Sequence, residues 1–134
     1  MTGEDKERTN NITVGIKWLE EHGFHRDTRC KEARTVANPP GEAWKRRFEI
    51  DMLKRHYLDR RRFYMVVFQY KGEWMADFGK TAHWHSSERS EYVQGAIRCA
   101  LEKFMTWRME EISELSDERL AAAIIRKQLL GTNI

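Results

Sequence analysis

Cysteine and proline are scarce in this chain: Cys30 and Cys99 are its two thiols, and Pro39 and Pro40 its two prolines, among 134 residues. Two thiols are too few for the disulfide frameworks that brace short secreted domains, so a reduced, cytoplasmic setting is expected. No stretch approaches the ~20 consecutive apolar residues that span a bilayer. The polar start from Met1 to Asn11 has no apolar core of the secretory kind. Export by its own signal and a membrane partner are therefore not expected. Also missing are a Gly-rich phosphate loop, a dinucleotide fingerprint, a Cys-x-x-Cys frame and a His-Glu-x-x-His frame. The expectation is a protein that is not an enzyme and holds no cofactor.

What is present is a charged globular composition. Hydrophobic residues make up 40% and charged residues 34%, against an ordinary charged share of ~25%, and the length suits one domain with one core. The net charge is only +3, too small to imply nucleic-acid binding by itself, but the charge is unevenly spread. Lys45, Arg46, Arg47, Lys54, Arg55, Arg60, Arg61 and Arg62 stand against Glu49, Asp51 and Asp59 between Trp44 and Tyr64. From Glu102 to Arg119 acidic residues prevail, with Glu110, Glu111, Glu114, Asp117 and Glu118 among them. An electrically polarised molecule is expected.

Periodicity sets the elements. Residues 1–9 are polar and expected to be flexible, and 10–134 to form a single α+β domain. Asn10 or Asn11 suits the cap of a first helix carrying Ile12, Ile16 and Leu19, with Gly23 at its stop. His25 to Asn38 lacks periodicity and reads as a long surface loop. Over 42–58, Trp44, Phe48 and Met52 fall at helical spacing, while Phe48, Ile50 and Met52 also alternate as in a strand. The composition favours a helix buried on two sides.

Phe63 to Tyr70 and Glu73 onwards read as a hairpin over 63–79 closed by Lys71-Gly72. Pairing Tyr70 with Glu73 puts Phe63, Met65, Val67, Trp74, Ala76 and Phe78 on one face, and Tyr64, Val66, Phe68, Tyr70 and Met75 on the other. Both faces are apolar, so the small antiparallel sheet is either covered by helices on both sides or binds something with one of them. Lys80 to Ser87 has room for a third short strand. Ser90 suits the cap of a helix whose Val93, Ala96, Ile97, Ala100, Leu101 and Phe104 form a stripe continuing through Trp107 towards Ile112. A last helix is expected from Ser116 to Gly131, with Leu120, Ile124 and Leu129 seeking a partner inside the domain or, through 117–130, in a homodimer.

Three segments together carry a resemblance: Trp44; the run Phe68-Gln69-Tyr70-Lys71-Gly72-Glu73-Trp74-Met75-Ala76-Asp77-Phe78; and Ala96-Ile97-Arg98-Cys99-Ala100-Leu101. They resemble the small phage proteins of the phage ABA-sandwich domain type, with a Trp-x-Ala strand and an Ala-Ile-Cys-x-Ala-Ala-Leu-like helix core, over about the middle half of the chain. HicB-type antitoxins resemble the same hairpin-plus-helix layout. The phage resemblance implies a small accessory gene product of a bacterial virus, working in the cytoplasm of the bacterial host cell; it carries over no functional residues.

His83 and His85 fall on one face if 83–85 is a strand, an arrangement that suits zinc with Cys99 or a carboxylate as further ligands. Without a second metal-ligand frame, these residues read instead as two histidines beside a partly buried tryptophan, and no metal is expected. Cys99 reads as a small core residue. The basic stretch is the main functional feature, because guanidiniums beside aromatic rings serve both protein contacts and phosphate contacts. The contact residues expected are Arg60, Arg61, Arg62, Tyr64, Phe68 and Trp84, extended by Lys45, Arg46, Lys54 and Arg55. The first reading is a phage or mobile-element protein that binds and modulates or inhibits a host protein or ribonucleoprotein complex, in the manner of anti-defence or anti-CRISPR inhibitors. The alternative is a direct DNA- or RNA-binding regulator using 45–62. A double-stranded RNA-binding domain is disfavoured, since Glu88-Arg89-Ser90-Glu91 stands where those domains place a Lys-Lys pair.

Overall fold

A computed structural model of the chain describes residues 3–27, 43–80, 83–106 and 113–131. Its elements are α1 (Gly3–Glu21), β1 (His25–Asp27), β2 (Ala43–Leu53), β3 (Leu58–Tyr70), β4 (Glu73–Lys80), β5 (His83–Ser86), α2 (Val93–Thr106) and α3 (Ser113–Leu130). The five strands form one antiparallel meander in the order β1-β2-β3-β4-β5. Residues from all three helices enter one core with the same face of the sheet, giving an α+β fold.

The hairpin forms in the register that the hydrophobic alternation predicts. Tyr70 pairs with Glu73, and Lys71 and Gly72 both take positive φ, 54° and 80°, as a two-residue turn with the twist of its strands requires. Phe63, Met65, Val67, Trp74, Ala76 and Phe78 all lie in the main core. On the opposite face Val66, Phe68 and Met75 join Ala43 in a smaller buried cluster, with Tyr70 and Trp84 packed against it. The α2 stripe is also as expected, since Val93, Ala96, Ile97, Ala100, Leu101 and Phe104 are its buried residues. Each large one contributes about 1.5–3 kcal/mol by leaving water.

The stretch 42–58 differs from the expected helix. It holds β2, whose Trp44, Phe48, Ile50 and Met52 are buried in alternation, paired with β3 from Ala43↔Phe68 to Leu53↔Leu58. Helix propensity is a preference of tenths of a kcal/mol per residue. Eleven residues of ladder beside an apolar neighbour strand outweigh it. Two helix starts also move. The first helix already runs from Gly3, so Asn10 and Asn11 lie inside it, and the last begins at Ser113 rather than Ser116. The loop expected over His25 to Asn38 opens with the short strand β1 and otherwise lies outside the described residues, as does Trp107 to Ile112. Within α3, Ala121, Ala122, Ile125 and Leu129 are buried in the main core and Ile124 packs against it, whereas Leu120 is 55% exposed.

Beyond β5 the chain keeps following β4. The Ser87 N–H donates to Ala76 O at 2.8 Å and the Trp74 N–H to Ser90 O at 2.7 Å, while the Ala76 N–H donates to Ser87 Oγ at 2.9 Å. These bonds occupy the outer edge of β4 and leave no bare ladder there. Ser90 Oγ then accepts from the Tyr92 N–H at 3.2 Å at the entry to α2.

Candidate partner-binding face

Alternation along β2 and β3 sorts the basic residues onto two sides of the sheet. Lys45, Arg47, Arg60 and Arg62 share the face away from the helices with Tyr64, Phe68 and Trp84. Arg46 and Arg61 lie on the helix side.

Arg61 is spoken for. Its side chain is 13% exposed and meets Asp59 at 2.8 Å, Glu118 at 3.2 Å and Asp117 at 3.8 Å. Burial works against its charge, but the hydrogen bond to Asp59 and the nearby carboxylates more than offset this and hold its pKa above the ordinary value. Lys54 pairs with Asp117, holding that carboxyl below its usual range, and Lys80 pairs with Glu118. The basic segment and the acidic start of α3 thus neutralise each other in part. Arg46 lies over the Phe48 ring, 4.4 Å from its centroid, and donates from Nη1 to His22 O at 2.7 Å. That carbonyl is at the C-terminal end of α1, where a cation is favoured.

On the open face the charges form a ladder. Asp51 is opposite Arg60 and Glu49 opposite Arg62. Arg60 binds Asp51 at 2.9 Å, and its hydrogen bond lowers the Asp51 pKa. Glu49 is reached by Arg47 at 3.4 Å, Arg60 at 3.6 Å and Arg62 at 3.3 Å. The three guanidinium side chains remain 56–59% exposed. Glu49 and Asp51 compensate part of their charge, and Lys45 adds a further cation 5.8 Å from the Tyr64 ring centroid.

The β2–β3 hairpin also reaches further than the rest of the sheet. β4 pairs with β3 only from Tyr64 onwards, so residues 58–63 have β2 as their one strand neighbour among the described residues. At the tip, where the Lys54 N–H donates to Tyr57 O at 2.9 Å, Leu53 is 84%, Tyr57 64% and Leu58 63% exposed. Arg55 and His56 are exposed beside them. The apolar tip is not visible in a helical reading of 42–58; the Leu53↔Leu58 pairing across a four-residue turn reveals it.

Tyr64 and Trp84 flank Gly79 in register, one on each neighbouring strand. With no side chain between them, their rings stack at 6.3 Å between centroids and 25° between planes. Phe68 is fully buried in the cluster beside them, so it supports this face rather than presenting itself. Next to Gly79 on the same face is Asp77, fully buried, with neither carboxylate oxygen hydrogen-bonded. Burial pushes its pKa up to about 6; the nearby Ser86 hydroxyl works weakly against the shift, without a hydrogen bond of regular geometry.

His85 turns to the helix side and meets Phe104 edge-on at 5.6 Å, and Cys99 Sγ, half-buried, accepts from the Glu88 N–H at 3.4 Å. The His83 side chain is outside the described residues. Among the described residues no group of three His, Cys, Asp or Glu side chains is placed to hold a metal ion, and no helix is long and apolar enough to cross a membrane. No protein-family profile, curated protein or solved structure gives a match to this chain.

Proposed function

We propose that this protein is a non-enzymatic binding module of phage or mobile-element type, one that docks on a host protein complex and modulates or inhibits it. The observation that carries this reading is the β2–β3 arm: exposed Leu53, Tyr57 and Leu58 at its tip, with Arg60, Arg62 and Arg47 in successive rows behind them. A leucine facing water forgoes about 1.5–3 kcal/mol that burial would supply. Two leucines paired across a hairpin tip, beside a tyrosine and three half-exposed arginines, have the composition of an interface centre with its rim. The partner that fits is a protein surface with an apolar hollow that takes the two leucines and the tyrosine of the tip. The resemblance to phage ABA-sandwich proteins agrees with such an accessory role, of which anti-defence inhibition is one form.

A second reading, direct binding of single-stranded nucleic acid, draws on Lys45, Arg47, Arg60 and Arg62 sharing a face with the Tyr64–Trp84 pair. Glu49 and Asp51 weigh against it, because they already occupy the arginines that phosphates would need. Tagged protein incubated with bacterial lysate, with and without nuclease, at physiological salt separates the two. A defined set of proteins retained after nuclease treatment is expected. Retention of nucleic acid alone, lost to nuclease or to raised salt, would favour the second reading.

A further inference from the structure

We infer that the outer edge of β2, from Arg47 to Leu53, binds by β-strand addition: an extended, uncharged segment of the docking partner, alternating small polar and apolar side chains, pairs main chain to main chain with the arm. This inference rests on the docking reading above and names how the arm is held.

At the hairpin tip the Lys54 N–H donates to Tyr57 O at 2.9 Å. Hydrogen-bonded and non-hydrogen-bonded pairs alternate along an antiparallel ladder. Followed back through the register, the main-chain groups of Met52, Ile50 and Phe48 therefore face β3, and those of Leu53, Asp51, Glu49 and Arg47 face the other way. β1 takes up that outer edge only from Ala43 to Lys45. It goes no further because α1 ends at Gly23, with φ 79°, and the Phe24 N–H donates back to Leu19 O, which sends Phe24 into the main core instead of along the sheet. Among the described residues the outward N–H and C=O groups of 47, 49, 51 and 53 have no main-chain partner. Their side chains are exposed, while Phe48, Ile50 and Met52 between them are buried. Such a row of bare donors and acceptors, about 20 Å long at ordinary strand rise, is complementary to another extended chain.

The charges decide whether that chain is a second copy of this one. An antiparallel self-pairing centred on Glu49 sets Glu49 against its own copy, one centred on Ile50 sets Glu49 against Asp51, and one centred on Asp51 sets Asp51 against its own copy. Like charges directly opposite are destabilising. Centring on Phe48 avoids this, but carries the copy's Asp51 and Leu53 to Lys45 and Ala43, where His25 and Asp27 of β1 already pair. Centres nearer the tip leave only two outward-facing residues to bond. The occupant is therefore a foreign strand. Its open-face side chains need carry no charge, because Glu49 is already reached by Arg47, Arg60 and Arg62, and Asp51 by Arg60. Opposite Leu53 an apolar side chain fits, and on the helix side apolar ones continue the row of Ile50 and Met52, each 8% exposed.

The probe is the blocked peptide acetyl-Leu-Val-Thr-Val-Thr-Val-Thr-amide, used below the concentration at which it self-associates and followed by NMR of the isotope-labelled full chain. In the free protein the amides of Arg47, Glu49, Asp51 and Leu53 are expected to exchange quickly with water, and those of Phe48 and Ile50 slowly. The peptide should shift the first set and slow its exchange several-fold. Methylating the threonine nitrogens of the peptide removes the donors that face β2 and should abolish the effect, whereas methylating its valine nitrogens, which face outwards, should leave it intact. Asp51→Pro takes away one outward N–H without touching the ladder to β3 and should weaken binding about tenfold or more; Asp51→Ser loses the same ion pair to Arg60, keeps the N–H and should bind as wild type does. The methylated peptides are read on wild-type protein, so they decide the matter even if the proline variant fails to fold. No change at residues 47–53 up to about 1 mM peptide, the weak end of measurable association, or equal binding of the two methylated peptides, overturns the inference. The assay needs no host partner: its failure leaves docking through the side chains of the tip standing, and a failure of docking in lysate leaves the assay readable.

Discussion

Asp77 is the residue whose chemistry departs furthest from what its position offers. Its carboxyl is pushed from the ordinary 3.8 up to about 6 by burial, so the folded state takes up its proton at higher pH than the unfolded chain does. Stability from this group is therefore greatest below about pH 4, falls as pH rises towards 6 and is flat above. Two pKa units correspond to about 3 kcal/mol. Urea denaturation of wild type and Asp77→Asn across pH 4–8 should show the variant gaining on the wild type as pH rises to 6, with a gain of roughly 1–3 kcal/mol at pH 8. Parallel curves at all pH values would mean that Asp77 is not held dry. Nothing in the sequence marks this residue: Trp74 to Phe78 reads as ordinary alternation, and burial of the second sheet face depends on residues distant in the chain. Gly15 carries a second prediction at this scale. A Cβ there would come within 2.6 Å of Cζ2 of Trp74, a ring that is 1% exposed. Replacing a helical glycine by alanine ordinarily stabilises by about 1 kcal/mol. Here the clash with a packed indole outweighs that gain, and Gly15→Ala should lower stability by roughly 1–2 kcal/mol in thermal or urea denaturation.

The elements meet most tellingly where α3 reaches the β2–β3 arm. Arg61 bridges its own strand, through Asp59, to Glu118 on the helix, and Lys80 from β4 shares Glu118. Arg61→Met keeps the aliphatic stem and leaves Glu118, 7% exposed, with Lys80 as its remaining ion-pair partner among the described residues. The expected loss is about 1–2 kcal/mol, between the values for exposed and fully buried pairs. A double-mutant cycle with Glu118→Gln should return a coupling of similar size, and a coupling near zero would show the bridge to be incidental. Sequence patterns reveal elements in proportion to how local their cause is. The 63–79 hairpin and α2 are legible because a Lys-Gly turn and a six-residue stripe specify them within their own segments. β2 is not, since Trp44, Phe48 and Met52 satisfy a helical period and Phe48, Ile50 and Met52 a strand period. The choice is made by β3, which supplies the ladder. The bridge from Arg61 to Glu118 was equally hidden, because only the fold brings a basic strand against the acidic start of a helix 57 residues later.

At the scale of the molecule, the helices cover one face of the sheet and an arm extends from the other strands with its leucines in water. The charge separation visible along the sequence survives only in part. Ion pairs to α3 absorb Lys54 and Arg61, whereas Lys45, Arg47, Arg60 and Arg62 remain on the open face with the Tyr64–Trp84 pair. Half of the expected contact set is thus gathered on one surface, and the apolar tip that completes it becomes visible only once β2 is a strand. The most direct test compares wild type with Leu53→Ser/Leu58→Ser in nuclease-treated capture from bacterial lysate, after circular dichroism shows both folded. Serine at these exposed sites leaves the core untouched. The account predicts that wild type retains a defined protein partner and that the double variant loses it by tenfold or more, about 1.4 kcal/mol or greater. Equal retention by the two proteins would contradict the arm as the docking site.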